Sequence, residues 1–259
     1  MTKSAMDVVK AARSQTHISD QEIREQIFEN FFELHGDGLH GDDPAIVGGL
    51  ATFHGRPVTV ITTSRGKSLE ERMKKHFGQS EPAGYRKVLR LTTNAAKFHR
   101  PVILFVDTAG AFPGKSAEEN GQGQAIAQNL LKMSQLPTPI ISIFYGEGGS
   151  GGALGLACGD QVWMLEDSMY TVLSPEGFAS ILWKDASKTR EAAEVMKLTP
   201  KDLLKQKVIE GIIKEPENHE KVIQNIDQVL QEQIPALEKL STQELLDKRY
   251  ARFRKILGE

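Results

Sequence analysis

Two glycine-rich stretches carry the residue pattern best suited to chemistry. They are DTAGAFPG at 107–114 and GEGGSGGALG at 146–155, and each follows an apolar run, PVILFV and PIISIFY respectively. Glycine costs about 0.5–1 kcal/mol relative to alanine inside a regular element, so so many together need a reason. A main chain without side chains leaves its N–H groups bare, and at the start of a helix those groups form the positive end of a dipole. Gly151 and Gly152 fall where PIISIFY gives way to a helix, and so are placed to face a developing negative oxygen. Two such donors make an oxyanion hole, in which one preorganised N–H contributes about 3–4 kcal/mol. This chemistry needs no side-chain nucleophile and suits an enolate or a similar delocalised oxyanion. The competing use of the same glycines is close helix–sheet packing.

Two other chemistries fit less well. AGAFPGKS at 109–116 is one residue short of a phosphate-binding loop: Ala109 stands where the first glycine belongs, and Pro113 removes a donor from the cradle. GGSGG at 148–152 matches the G-x-S-x-G nucleophile elbow, which makes Ser150 the candidate nucleophile of a Clp-like serine hydrolase. Such a serine needs a base. Downstream of it the sequence offers only His219, in the charged segment KEPENHEKV. The histidines at 17, 35, 40, 54, 76 and 99 stand near charges or turns, not at the ends of apolar strands.

The elements that must position these loops follow from periodicity. ISDQEIREQIFENFFELHGD opens with a capping box, Ser19 with Glu22, and a staple, Ile18 against Ile23; apolar residues at 27, 31 and 34 predict one continuing helix. Residues 46–53 and 58–63, separated by a Gly-Arg-Pro turn, predict a β-hairpin. From residue 82 the rhythm becomes helix (GYRKVLRLTTNAAKFHR), strand (PVILFVD), helix (GQGQAIAQNLLKMSQL), strand (PIISIFY), helix (GSGGALGLAC), strand (QVWMLED). Short, fully apolar strands between helices argue for parallel βαβ units, an α/β fold. After residue 183 the chain reads as charged helices. Thr199, Pro200 and Asp202 begin one that runs into LLKQKVIEGII. The tail places Leu246, Tyr250, Phe253 and Leu257 on one stripe, for docking on the core or on another subunit. These segments define one unit, 1–259, with an N-terminal helical arm (1–36), a core (44–183) and C-terminal helices (184–259).

Composition narrows the function classes. With 32 basic and 34 acidic residues the net charge is −2, so no basic field attracts nucleic acid. A single cysteine, Cys158, excludes an internal disulfide and any multi-cysteine metal ribbon in this chain, as expected of a reducing cytosol. The first residues have no signal-peptide core, and no run approaches the roughly 20 apolar residues of a membrane span. The expectation is a cytoplasmic protein that holds no metal.

Four motifs together, GYRKVLRL (84–91), DTAGAFPG, GEGGSGGALG and SPEGFASILWKDA (174–186), with the ending KRYARFRKIL, give a match across nearly the whole chain. On these residues the sequence resembles the α subunits of bacterial acetyl-CoA carboxylase carboxyltransferase, members of the crotonase/Clp-protease superfamily. The family more often has proline, tyrosine and cysteine where this chain has Ala109, Phe112 and Phe178. Ala109 relaxes a backbone restriction in the first loop, and Phe178 is expected to narrow a nearby pocket.

The resemblance implies a crotonase-like ββα superhelix with an N-terminal helix and a helical C-terminal region. It also implies transfer of a carboxyl group from carboxybiotin, borne on a biotin carboxyl carrier protein charged by biotin carboxylase, to acetyl-CoA. The product is malonyl-CoA, at the first committed step of fatty acid biosynthesis. By the same resemblance the α subunit steadies the biotin oxygen and the β subunit the thioester enolate. Gly151 and Gly152 are then the donors, shaped by Gly148, Gly149 and Ala153, with a second wall from Gly110, Ala111 and Phe112. Ser174, Pro175, Glu176 and Gly177 line the biotin approach or the β contact, or else simply cap a helix. The β subunit of the family bears a four-cysteine zinc ribbon that this chain cannot form, which implies an obligate partner and an α2β2 assembly. A module that binds acyl-CoA or the carrier without catalysis is the remaining alternative.

Overall fold

The computed structural model describes residues 3–39 and 41–256, and in these the chain supplies eight strands. They are β1 (Glu29–Glu33), β2 (Ile46–Phe53), β3 (Arg56–Thr63), β4 (Val102–Thr108), β5 (Ile140–Gly149), β6 (Gln161–Leu165), β7 (Met169–Thr171) and β8 (Gly211–Ile213). All belong to one sheet, in the order β1-β2-β3-β4-β5-β6-β8, with β7 paired to the last residues of β5. The first three strands run antiparallel, as the hairpin reading requires, and β3, β4, β5, β6 and β8 run parallel. β4 and β5 are buried along their whole length, which is why they read as unbroken apolar runs.

Both faces of the sheet are covered. On one, the helices Asp20–Ile27 and His219–Glu238 lay Ile23, Ile27, Ile226 and Leu230 over Val60, Phe105 and Ile143. On the other, Pro82–Lys97 and Gln122–Met133 bury Tyr85, Val88, Leu91 and Met133 against Ile61, Leu104 and Phe144. Cys158 is buried in this second core, where burial pushes its thiol up to about 12.

Four local expectations need correction. The predicted helix through residue 34 stops at Ile27: Phe28 is extended (φ −117°, ψ 140°), and 29–33 become β1. β1 covers the open edge of β2, so closely that a Cβ on Gly49 would lie 2.0 Å from the Phe32 carbonyl oxygen. The helix that Thr199 caps ends at Lys205, and GII enters the sheet as β8, paired with β6. The helix after β5 is only Ser150–Leu154. In the last helix, Thr242–Ile256, the buried residues are Leu245, Arg249 and Arg252, while Tyr250 is exposed. Of the expected stripe, Leu246 and Phe253 are half-buried and Leu257 lies outside the described residues. Polar anchoring thus wins over the apolar pattern there. Within the expected N-terminal helical arm a first helix, Ala5–Ala12, is capped by Ser4 and Asp7.

Beyond β8, Glu215 accepts the Asp167 N–H at 2.9 Å, and burial pushes its carboxyl up to about 7. Between the unfolded carboxyl range and pH 7 the folded state therefore holds the extra proton, and stability falls as pH rises through that window. Glu215→Gln is expected to raise the melting temperature at pH 8, by a stabilisation on the order of 2 kcal/mol, and to change it little at pH 5. Thermal melts of both proteins at the two pH values read this directly; an equal shift at both would contradict it.

Candidate functional site

β4 and β5 pair in parallel register, Val106 with Phe144 and Thr108 with Gly148, so both glycine loops leave the sheet at one edge. β5 continues as strand through Gly149, and the chain turns at Ser150, whose φ is +57°. Packing accounts for most of the glycines. A Cβ on Gly146 would meet the Asp107 carboxylate at 2.4 Å, on Gly148 the Phe144 ring at 2.3 Å, on Gly149 the Ala109 carbonyl oxygen at 2.1 Å, and on Gly152 the Ala111 nitrogen at 2.3 Å. The two loops are therefore in backbone contact, with Gly149 and Gly152 forming the seam. Gly151 differs: a Cβ there would meet nothing within 4 Å.

Gly151 opens instead on a cavity of about 500 Å³, with Ser150, Leu154, Tyr170, Val172 and Phe253 among its walls. The lining is mainly apolar, and the C-terminal helix closes one side through Arg252, Phe253 and Ile256. No side chain caps the Ser150–Leu154 helix, because its N-cap is Gly149. Its first N–H groups, those of Ser150, Gly151 and Gly152, precede any residue that a helical carbonyl can satisfy. Gly151 lines the cavity; Gly152 and Ala153 are buried behind it and do not.

The other expected site residues stand further back. Gly110 (φ +140°) donates its N–H to Thr108 Oγ1 at 3.1 Å, and the Phe112 N–H donates to the Ser80 carbonyl at 3.0 Å, so both donors are already engaged. Phe112 stacks on His76, ring centroids 4.0 Å apart. Gly110, Ala111 and Phe112 buttress the seam and do not line the cavity. Ser174 caps the helix Pro175–Leu182 by accepting the Gly177 N–H at 3.0 Å, and Glu176 pairs with Arg13. Phe178 packs edge-on against Trp183 and lies outside the cavity wall, so it does not narrow it as expected. Around this helix Val172, Ile181, Leu182 and Trp183 are exposed, an apolar patch continuous with the cavity through Val172. Lys115, in the near-miss phosphate loop, is exposed and pairs with Glu119.

Ser150 has elbow geometry without a partner. The cavity beside it contains no histidine and no carboxylate among its lining residues. His219 lies in a different cavity, its ring nitrogens against Glu22 Oε1 (3.1 Å) and the Thr16 carbonyl (3.2 Å). A serine without a base is a weak nucleophile. Ser150→Ala is accordingly expected to leave turnover within about threefold of the parent, since no triad is lost. A fluorophosphonate probe should leave Ser150 unlabelled, and labelling would revive the hydrolase reading.

Sequence reasoning missed a buried ionic network behind the loops. Asp107, at the end of β4, accepts the Glu147 N–H at 2.8 Å and pairs with Arg65 Nη2 at 2.8 Å. Glu147, in β5, receives Arg65 Nη2 at 3.1 Å and Arg13 Nη2 at 2.9 Å, and Arg13 Nη1 reaches Glu176 at 2.9 Å. His17, placed above among histidines remote from strand ends, meets Asp107 Oδ2 at 3.2 Å through Nε2 and the Ser14 carbonyl through Nδ1. Both ring nitrogens thus face acceptors, which favours the doubly protonated ring. Burial opposes that charge, but the hydrogen bond and attraction to Asp107 outweigh it and raise the His17 pKa. Arg65 and His17 in turn hold the Asp107 carboxyl below its ordinary range despite full burial. The available signal was a carboxylate closing an apolar strand at both Asp107 and Glu147. One further cluster, Glu33, His35 and Asp42, brings ligand atoms within 4.8 Å of one another, but Lys87 Nζ already sits 2.8 Å from Asp42.

The fold places the chain in a recognisable class. Transcarboxylase 12S, described with methylmalonyl-coenzyme A bound, superimposes with a TM-score of 0.68 at 17% identity over 86% of this chain. A single-chain, multi-domain long-chain acyl-CoA carboxylase gives 0.65 at 16% over 89%. This chain spans 44% and 23% of those two chains. The architecture is that of a crotonase-like carboxyltransferase domain. Residues 2–257 match the family model described as acetyl co-enzyme A carboxylase carboxyltransferase-like. The acetyl-coenzyme A carboxylase carboxyl transferase subunit alpha of Streptococcus sanguinis (strain SK36) is 52% identical over 96% of this chain and 97% of its own length. That of Streptococcus pyogenes serotype M12 (strain MGAS2096) is 55% identical over the same shares. The chain belongs to the family of acetyl-CoA carboxylase carboxyltransferase α subunits. Among the described residues no helix is long and apolar enough to cross a membrane.

Proposed function

We propose that this chain forms the half of a carboxyltransferase site that steadies the oxyanion of the carboxyl donor, with acetyl-CoA as acceptor and malonyl-CoA as product. The observation that carries the reading is Gly151. Every neighbouring glycine from 146 to 152 is explained by a close contact, whereas Gly151 has space around it, stands in the uncapped first turn of a helix and lines an apolar cavity. Its N–H is the donor offered to a developing negative oxygen, in surroundings where the low dielectric strengthens the interaction. A cavity of about 500 Å³ lies within the range of small-molecule sites and admits a fused ureido ring system.

Carboxybiotin, delivered on a carrier protein, would supply both the carboxyl group and, once that group has left, the base for the acceptor's methyl proton. The residues of this chain then have three tasks. Gly151, with Gly152 behind it, holds the oxygen; Leu154, Tyr170, Val172 and Phe253 exclude water; the apolar patch from Val172 to Trp183 receives a second chain. That second chain is a β subunit with a zinc ribbon, which completes the acyl-CoA half of the site in an α2β2 assembly. The subunit designation of the relatives supports such a partner. The test is reconstitution: malonyl-CoA should form only when this chain, a β subunit and carboxylated carrier are combined. Transfer without this chain, or none in the complete mixture, contradicts the proposal.

A further inference from the structure

We propose that Arg13 is a positioning residue for the transfer, fixing the second glycine loop between the Pro175–Leu182 helix and the root of the first loop. The inference rests on the assignment of Gly151 as donor. Glu147 is the one charged residue in the glycine stretch, and it is buried. Its two carboxylate oxygens are divided: Oε1 takes Arg13 Nε and Nη2 at 3.1 and 2.9 Å, and Oε2 takes Arg65 Nη2 at 3.1 Å. Arg65 continues to Asp107, which accepts the main-chain N–H of Glu147 itself and so closes a ring between β4 and β5. Arg13 extends that ring outward to Glu176, in the first turn of the helix that carries the exposed apolar patch.

The geometry matters because, from Glu147 to Gly152, Glu147 is the residue whose own side chain ties the loop to the rest of the fold. From Gly148 to Gly152 the chain has only Ser150 to offer, and it points away from the core, exposed. The five residues from Glu147 to Gly151 therefore take their position from main-chain pairing with β7 on one side and with β4 and the first loop on the other, and their one side-chain anchor is Glu147. A guanidinium bound by both its edge and its tip has fixed orientation as well as charge, which lysine does not reproduce. A partner chain seated on the patch would push on the Pro175–Leu182 helix, and Arg13 is the connection through which that push reaches the donor.

The experiment pairs two readouts in Arg13→Gln, Glu176→Gln and the double variant. In the reconstituted enzyme, Arg13→Gln should lower kcat by about tenfold through misplacement of the donor, with the KM for carrier changed less than about twofold. Glu176→Gln should lower kcat less, and the double variant should match Arg13→Gln alone, because Glu176 acts through it. Independently, amide hydrogen exchange on this chain should quicken at 147–152 in Arg13→Gln while β4 and the Pro82–Lys97 helix stay protected. Unchanged exchange at 147–152, an unchanged kcat in an active reconstituted enzyme, or strictly additive effects would each overturn the proposal. Should the wild-type mixture transfer nothing, the donor assignment fails, whereas the exchange result still decides whether Arg13 holds the loop.

Discussion

Gly151→Val should reduce turnover of the reconstituted enzyme by about 10²–10³-fold with little change in melting temperature, whereas Gly152→Val should fail as a folded protein. The two glycines are adjacent and chemically identical, so the contrast comes from what surrounds them. At Gly152 a Cβ would meet the Ala111 nitrogen at 2.3 Å, the Gly110 carbonyl carbon at 2.6 Å and the Tyr85 hydroxyl at 2.7 Å. Two of those contacts are main chain in a neighbouring loop, which cannot move without breaking the seam. At Gly151 the added methyl groups enter empty space and occupy the cavity in front of the N–H. Circular dichroism melts beside steady-state kinetics separate the cases. A Gly151→Val protein that turns over like the parent would remove the donor from this position.

Arg249→Met is expected to cost about 3–5 kcal/mol of stability, as the loss of one partner from a buried ion pair does. In a chain of this size that lowers the melting temperature by roughly 10 °C. Arg249 is 1% exposed and lies in the ending KRYARFRKIL. Its guanidinium donates to both Asp160 oxygens, at 2.8 and 2.7 Å, and to the carbonyls of Met133, Leu136 and Thr138 at 2.8–2.9 Å. Those carbonyls end one helix and lead into β5, so Arg249 pins the C-terminal helix to the sheet. The same helix presents Phe253 and Ile256 to the cavity, and turnover should fall along with stability. Adding Asp160→Asn to Arg249→Met should recover part of the loss, since it removes the stranded charge. A single variant that melts with the parent would show the pair to be dispensable.

What the residues disclosed and what they withheld divide along sequence distance. The hairpin and the buried strand β4 are local patterns of period, glycine and apolar run, and they stand where they were expected; β5 begins where expected but runs on through GEGG to Gly149 before the chain turns at Ser150. The β1 and β8 strands were hidden because each is short and takes its conformation from a neighbour's unpaired edge, which no window of its own sequence contains. The Arg13–Glu147 and Arg65–Asp107 pairs join residues 134 and 42 positions apart, the second by subtraction of 65 from 107. Nothing in a linear reading joins them, although a carboxylate ending an apolar strand is a visible anomaly. The glycines were legible as a group but not one by one: only their contacts distinguish those that allow two loops to touch from the one that faces the cavity.

The donor claim is tested most directly by removing a single main-chain hydrogen. Glycolic acid incorporated at position 151 replaces the N–H with an ester oxygen and leaves shape, charge and cavity unchanged. The reconstituted enzyme carrying this ester should lose about 10²–10³-fold in kcat at nearly constant carrier KM. An ester enzyme as fast as the amide parent would contradict the account.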